Sequence, residues 1–126
     1  MRKQADGALE TRDTIATYFQ RLYAGGWEAL IGDDVLFTSP TGETRGKAAY
    51  VEGTNRFKQV AKSVEVRQLI VEEENVSAVT RYKLLSPKGN LWYCDTVEIF
   101  SVRNGKIQSS KIFFDTAGFG KFMAQG

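Results

Sequence analysis

Acid and base chemistry in this chain must depend on carboxylates, tyrosines and lysines, because its 126 residues include no histidine. The absence of imidazole excludes serine–histidine and cysteine–histidine nucleophile pairs and histidine–aspartate dyads. It also removes the usual ligands of zinc and non-haem iron. We therefore expect no metal ion and no other cofactor, and we take Glu98 and Asp115 as the candidate catalytic carboxylates.

Glu98 lies in a segment that reads as a β-strand with a period of two. The residues that share its face of the strand are mostly apolar: Trp92, Cys94, Thr96, Phe100 and Val102. Burial among such neighbours would raise the pKa of Glu98 and keep it protonated as a hydrogen-bond donor. Alternatively, this face is half covered and Glu98 is solvated or paired with an arginine or lysine.

Asp115 follows the apolar run Ile112-Phe113-Phe114 and precedes Thr116-Ala117-Gly118. Because water can reach this glycine-containing segment, we predict that Asp115 is ionised and acts as a general base. Alternatively, Asp115 is a turn residue or the N-cap of a helix in the tail. Tyr18 is the third candidate, since it lies on the buried face of a predicted helix, either as a simple core residue or with its hydroxyl bound to a ligand.

Helices come first among the elements that must position these side chains. The spacing of Ile15, Tyr18, Phe19, Leu22 and Tyr23 predicts an amphipathic helix from about residue 11, ended by two glycines at 25 and 26. A short helical turn over 27–31 and a short strand over 35–39 follow. A second helix is predicted over about 47–60.

Strands dominate the second half of the chain, where β-branched and aromatic residues become frequent. Four long strands are predicted, over about 63–73, 76–86, 91–103 and 106–115. The loops between them are typical of hairpins, and Asn104-Gly105 is the tightest of these turns. The fold class is therefore α+β, with a curved antiparallel sheet packed on the N-terminal helices around a hollow that can bind a small ligand.

The second face of the strand over 91–103 is also largely apolar. It carries Leu91, Tyr93, Asp95, Val97 and Ile99. A strand that is apolar on both faces is expected to be covered on both. We predict a homodimer with Val97 and Ile99 near the centre of its interface; alternatively, a loop or the C-terminal tail covers this face.

Composition excludes several other functions. Seventeen basic and fifteen acidic residues are interspersed along the chain and give a net charge of +2, so no nucleic-acid partner is expected. No apolar run approaches the roughly 18 residues of a membrane span, and the polar first nine residues do not resemble a signal peptide. The single cysteine, Cys94, fits a reducing compartment and a small core residue. We expect one cytoplasmic domain over 1–126, with its ordered core over about 9–123.

The order and spacing of these elements resemble the SnoaL-like group within the nuclear transport factor 2-like superfamily. The resemblance covers the chain from about Thr11 to Met123. It rests on Tyr18-Phe19-Gln20-Arg21-Leu22-Tyr23-Ala24-Gly25-Gly26, Asp33-Asp34-Val35, Ser39-Pro40-Thr41-Gly42, Arg45-Gly46-Lys47, Phe100-Ser101-Val102-Arg103-Asn104-Gly105-Lys106-Ile107 and Phe114-Asp115. It implies a cone-shaped sheet around a small, largely apolar ligand.

The resemblance also implies roles for single residues. Tyr18 is similar to the oxyanion-hole tyrosine of ketosteroid isomerases, and Glu98 falls close to their second oxyanion-hole acid. Asp115 resembles the last-strand aspartate of polyketide cyclases and limonene epoxide hydrolase. The general-base aspartate of ketosteroid isomerases falls on Ser39, which is no base. The residues expected to contact the ligand are Trp92, Phe100, Phe37, Phe114 and Ser39.

Two functions follow from this sequence. In the first, the protein is a cofactor-independent isomerase, cyclase or lyase: Asp115 takes a proton next to a carbonyl, while Tyr18 and protonated Glu98 donate hydrogen bonds to the developing enolate. In the second, the protein is a non-catalytic dimeric module of the same fold that binds an apolar ligand or a protein.

Overall fold

The computed structural model describes the backbone of residues 2–126 and the side chains from Glu10 onward. The elements follow one another in the order helix, short strands, helix, long strands, helix. Their bounds are α1 (Arg2–Arg21), a 3-10 turn (Trp27–Leu30), β1 (Ile31–Ser39), β2 (Gly42–Arg45), α2 (Lys47–Phe57), β3 (Ala61–Glu72), β4 (Asn75–Leu85), β5 (Leu91–Arg103), β6 (Lys106–Phe114) and α3 (Thr116–Gln125).

Within residues 2–126 the strands form one six-stranded sheet in the order β2-β1-β6-β5-β4-β3. Successive long strands pair through hairpins and are antiparallel, as predicted. β1, however, runs parallel to β6, so that the sheet is mixed. The predicted α+β class, a sheet packed on helices, is confirmed.

Turn and cap residues fix the ends of most elements close to the predicted positions. Asn104 and Gly105 adopt φ values of 54° and 69°, the left-handed pair that a tight hairpin turn requires. α2 ends at Phe57, three residues before the predicted end. α1 begins at Arg2, ahead of the predicted start near residue 11.

The core lies between α1 and one face of the sheet, which we call the inner face. Of the predicted residues, Ile15, Tyr18 and Phe19 lie in α1 and Leu22 directly follows it, and all four are buried. Tyr23 also lies beyond the end of α1 and is 38% exposed. β5 alternates between buried and exposed positions along its length, as a period of two requires. Glu98 and Phe100 are among its buried residues, so the predicted inner face of this strand is correct.

α3 returns across the inner face and covers one end of it. Phe122 is buried and stacks on Trp92, with ring centres 5.9 Å apart. At Gly118 the helix approaches so closely that an added Cβ would lie 2.8 Å from the Trp92 ring. No helix among residues 2–126 is long and apolar enough to cross a lipid bilayer.

Candidate functional site

A cavity of about 490 Å³ lies between the inner face of the sheet and the helices. Its size is within the range of small-molecule sites in proteins. Every element except β3 and the 3-10 turn contributes to its wall. Among its lining residues are Tyr18, Tyr23, Phe37, Ser39, Glu43, Tyr50, Phe57, Lys58, Tyr82, Cys94, Glu98, Ile112, Phe114 and Phe119.

Glu98 forms the polar centre of this cavity. Its residue is 5% exposed, and the hydroxyls of Thr80 and Tyr82 donate to its Oε2 atom at 3.0 and 2.9 Å. The Thr80 hydroxyl is also bonded to that of Thr96. These partners come from β4 and β5, whose register places Thr80 opposite Thr96 and Ala78 opposite Glu98. The carboxyl is therefore buried and held by hydroxyl groups rather than by an arginine or lysine.

Burial controls the protonation of Glu98. Desolvation raises its pKa from 4.5 to about 7, although the hydrogen bonds from Tyr82, Thr80 and Thr96 act in the opposite direction. Since Thr80 and Tyr82 both donate to Oε2, the proton of the neutral acid belongs on Oε1. Glu98 can therefore hold a transferable proton close to neutral pH.

Two further tyrosines provide donors beside Glu98. The hydroxyls of Tyr18 and Tyr50 are 3.1 Å apart, and both side chains are buried. Desolvation raises the pKa of Tyr50 to about 12 and that of Tyr18 well above its ordinary value. Burial raises the pKa of Tyr82 in the same way, and the neighbouring Glu98 adds to the effect. All three phenols therefore stay protonated and can donate hydrogen bonds.

Aromatic rings form the apolar part of the wall. Phe57 packs edge-on against Tyr82 with ring centres 5.2 Å apart, and Phe37 does the same against Tyr50 at 5.5 Å. Phe119 brings α3 into the wall, 5.6 Å from the ring of Phe114. A ligand in this cavity would therefore have an apolar body beside one polar end.

Cys94 also lines the cavity, on the same strand as Glu98. It is buried, and desolvation raises the pKa of its thiol to about 11, with a smaller effect of Asp95. The thiolate that a nucleophilic cysteine needs is therefore disfavoured at neutral pH. This agrees with the prediction of a small core residue.

The structure brings part of the predicted site together. Tyr18 and Glu98, with Phe37, Ser39 and Phe114, line the cavity. Their catalytic and binding roles stay predictions.

Trp92, Phe100 and Asp115 lie outside the residues that line the cavity. α3 covers Trp92 with Phe122, and Phe100 is buried beneath Tyr18. Asp115 is exposed and caps α3, because its Oδ1 accepts the backbone N–H of Gly118 at 2.9 Å. It thus has the alternative role predicted for it, and it does not converge with Glu98 on one cavity.

Sequence reasoning missed Tyr50, Tyr82 and Thr80. A usable signal exists for two of them, since the loop Ser86-Pro87-Lys88-Gly89-Asn90 is centred on Lys88 and its symmetry places Tyr82 opposite Cys94 and Thr80 opposite Thr96. The sequence pattern of α2 puts Tyr50 on the inward face of the helix, but it does not show that Tyr50 meets Tyr18 in the cavity.

Comparison with known proteins identifies the family of this chain. Residues 18–110 match the SnoaL-like domain. No protein of curated function matches the chain.

Solved structures share the whole fold. A candidate SnoaL-like polyketide cyclase from Jannaschia sp. CCS1 has a TM-score of 0.81 at 15% identity, over 91% of this chain and 92% of that one. TerC, co-crystallised with polyporic acid, has a TM-score of 0.79 at 19% identity, over 91% and 98%. A candidate ketosteroid isomerase from Kribbella flavida DSM 17836 has a TM-score of 0.74 at 18% identity, over 86% and 79%.

At these identities the solved structures establish the fold and no activity. The domain match, in contrast, covers most of the chain. The protein therefore belongs to the SnoaL-like domain family.

Proposed function

We propose that the protein encloses a small, largely apolar molecule that carries a carbonyl or hydroxyl oxygen, and that Glu98 transfers its proton to that oxygen. The reaction would be a cofactor-independent isomerisation, cyclisation or elimination with Glu98 as general acid. The observation that carries the proposal is the buried Glu98 carboxyl, which lines a cavity with aromatic rings in its wall and accepts hydrogen bonds from Thr80 and Tyr82. Burial raises its pKa to about 7, so the group can give up a proton near neutral pH.

The hydrogen-bond donors near Glu98 support the proposal that a ligand oxygen binds at this end of the cavity. Tyr18 and Tyr50 are protonated phenols, and the hydrogen bond between them uses one of their two O–H groups. The other O–H can donate to a ligand oxygen while Glu98 protonates it. Such donors act at full strength in a cavity from which water is excluded, where each contributes roughly 10²–10³-fold to the rate. The rings of Phe37, Phe57 and Phe119 would pack on the apolar part of the bound ligand.

The relatives point to the same class of ligand. TerC is a protein of this fold that was crystallised with polyporic acid, and two other solved relatives are named as a candidate polyketide cyclase and a candidate ketosteroid isomerase. These names concern cyclic, oxygen-bearing organic molecules. They support the proposed ligand class and leave the reaction to experiment.

Hydrogen–deuterium exchange into a ketone tests the proposal without knowledge of the natural substrate. When Glu98 protonates the carbonyl oxygen of 2-tetralone, a solvent base takes a hydrogen from the neighbouring carbon and leaves the enol. In the reverse step D₂O delivers a deuteron to that carbon and the enol hydroxyl returns its proton to Glu98, so the carbon-bound hydrogens next to the carbonyl would exchange. We expect the protein to accelerate this exchange, with a rate that falls as the pH rises through about 7. Glu98→Gln should lower the acceleration by at least about a hundredfold while keeping ketone binding, since an amide still donates a hydrogen bond.

Two matched variants control for general effects of removing a carboxylate. Glu43→Gln removes an exposed carboxylate from the cavity wall, and Asp115→Asn removes the one at the start of α3 while keeping an N-cap side chain. We expect both to retain exchange. Loss of exchange in Asp115→Asn with full activity in Glu98→Gln would instead assign the proton transfer to Asp115.

A non-catalytic binding module is the second candidate. The position of Asp115 favours it, because the predicted base caps α3 outside the cavity and leaves Glu98 without a second catalytic carboxylate beside it. In that case ketones of suitable size would bind with the same pH dependence, and exchange would not exceed the rate in buffer.

We also propose that the protein is a homodimer joined through the outer face of the sheet, the face away from the helices. Val97, Ile99 and Phe113 on neighbouring strands are 37%, 39% and 47% exposed there. Arg81 and Asp95 form an ion pair beside them. Because this pair offers both signs of charge, two copies related by a two-fold axis could pair reciprocally around the apolar centre.

A further inference from the structure

Lys58 places a cation in the wall of the cavity, where the end of α1 meets the end of α2. Its ammonium group donates to the carbonyl oxygen of Leu22 and lies 5.2 Å from the ring centre of Tyr23 and 5.7 Å from that of Trp27. Both rings stabilise a positive charge at this range. The carbonyl uses one of three N–H donors, so the fixed cation keeps donors for a ligand.

Within residues 10–126, no carboxylate forms an ion pair with the Lys58 ammonium group. Arg56, a second cation in the cavity wall, lies in the last turn of α2, is exposed and pairs with Glu52 at 2.9 Å. The pKa of Glu98 is set by burial and by hydrogen bonds from neighbouring hydroxyls, and Lys58 does not contribute to it. Lys58 and Glu98 are thus separate polar positions in one cavity.

Aromatic surface connects the two positions. Phe57 precedes Lys58 in the chain and packs on Tyr82, whose hydroxyl donates to Glu98. Phe119 of α3 lies 6.4 Å from Phe57 and extends that surface. A ligand that filled the cavity would therefore meet a cation, then rings, then a group of hydrogen-bond donors.

We propose that the ligand is an amphiphilic monoanion, whose carboxylate binds the Lys58 ammonium group while a neutral carbonyl or phenol oxygen at its far end binds Glu98 and the tyrosines. This inference rests on the proposed function of the cavity and specifies the class of its substrate. An ammonium–carboxylate contact beside aromatic rings and partly shielded from water gives selectivity for an acid over an uncharged analogue of the same size.

A matched pair of photoreactive ketones tests this selectivity. 4-Benzoylbenzoate carries a carboxylate and an aromatic ketone, and 4-benzoylbenzamide replaces the carboxylate with a neutral amide. Their dissociation constants would be measured by calorimetry at pH 6, where Glu98 holds its proton. We expect the acid to bind about tenfold more tightly than the amide. Irradiation of each complex followed by peptide mass spectrometry would then locate the ketone.

Variants assign the selectivity to one side chain. Lys58→Met should abolish the preference for the acid and leave the affinity for the amide unchanged, whereas Lys58→Arg should keep the preference. Lys62→Met is the matched control, because Lys62 is exposed and outside the cavity wall. It should have no effect.

The outcomes separate this inference from the proposed function. Photoadducts in the cavity without a preference for the acid, or with a preference that survives in Lys58→Met, would overturn the role of Lys58 and leave the ligand cavity intact. Photoadducts on the outer face of the sheet, or no binding of either ketone, would overturn the proposed cavity function and this inference with it.

Discussion

A buried carboxyl group makes stability depend on pH, and Glu98 is the residue where this dependence should be largest. Its pKa is raised from 4.5 to about 7 in the folded protein. The folded state therefore binds a proton more tightly than the unfolded state. The resulting stability is fully present below about pH 4.5, falls as the pH rises to about 7, and is constant above.

We expect this fall to amount to about 3 kcal/mol in the free energy of unfolding. Glu98→Gln cannot ionise, so the difference in free energy of unfolding between the wild type and this variant should change by that amount between pH 4.5 and 8. Urea denaturation at a series of pH values measures it. Parallel pH profiles for the two proteins would show that Glu98 titrates as an exposed acid.

Tyr82 should tune the proton of Glu98. The Tyr82 hydroxyl donates to Oε2 and lowers the pKa of the carboxyl, against the effect of burial. Tyr82→Phe removes that donor, so the pKa of Glu98 should rise further, by about one pH unit or more. Carbon-13 NMR of the Glu98 carboxyl would follow it.

Tyr23→Phe is the control for Tyr82→Phe. Its hydroxyl donates to the carbonyl oxygen of Ala61 instead, so this variant removes a cavity phenol without a bond to Glu98. An equal pKa change in both variants would mean that the cavity environment, not the hydrogen bond, sets the titration.

At the scale of elements, strand register decides which predicted residues reach the cavity. The hairpin between β4 and β5 is regular, and a period of two placed Glu98 on the inner face correctly. The same regularity would have revealed Tyr82 and Thr80. Such cross-strand pairs can be predicted from the sequence, because the position of the turn fixes the pairing of every residue in a hairpin without a bulge.

The hairpin between β5 and β6 contains a register shift that no sequence pattern predicts. Arg103 pairs with Lys106 at the Asn104-Gly105 turn, and an unbroken ladder would carry Asp115 opposite Cys94, on the inner face. The register instead shifts by one residue between Val102 and Ser101. Val102 still pairs with Ile107, but Ser101 pairs with Ser109 and Glu98 with Ile112. A shift of one residue exchanges the two faces of a strand. Phe114 therefore lines the cavity, and Asp115 does not.

The role of Asp115 should accordingly be to hold α3 in place. Asp115→Ala removes the N-cap and should lower the free energy of unfolding by about 1 kcal/mol, whereas Asp115→Asn keeps a capping oxygen and should cost much less. Amide hydrogen exchange over 116–125 should accelerate in the alanine variant alone. Equal exchange in both variants and the wild type would show that packing of Phe122 on Trp92 holds the helix without its cap.

At the scale of the molecule, the outer face of the sheet is the surface that the proposed dimer would cover. Val97→Glu places a charge at the centre of that surface and should give a monomer in sedimentation experiments at micromolar concentration, with an unchanged circular dichroism spectrum. Met123→Glu introduces the same charge at an exposed apolar residue of α3 and should remain dimeric. A wild-type protein that sediments as a monomer would exclude the proposed dimer.

The parallel pairing of β1 with β6 joins the first two strands to the four that come later in the chain. During synthesis β1 and β2 leave the ribosome long before β6 exists, while β3, β4 and β5 can already pair as local hairpins. Until β6 is inserted, β1 and β5 each have an edge without a hydrogen-bonded neighbour, and the cavity wall lacks Ile112 and Phe114. β6, the last of the six strands to be synthesised, therefore joins the sheet. In a nascent chain that stops before β6, the β1–β2 pair and the β3–β4–β5 strands are not yet paired with each other.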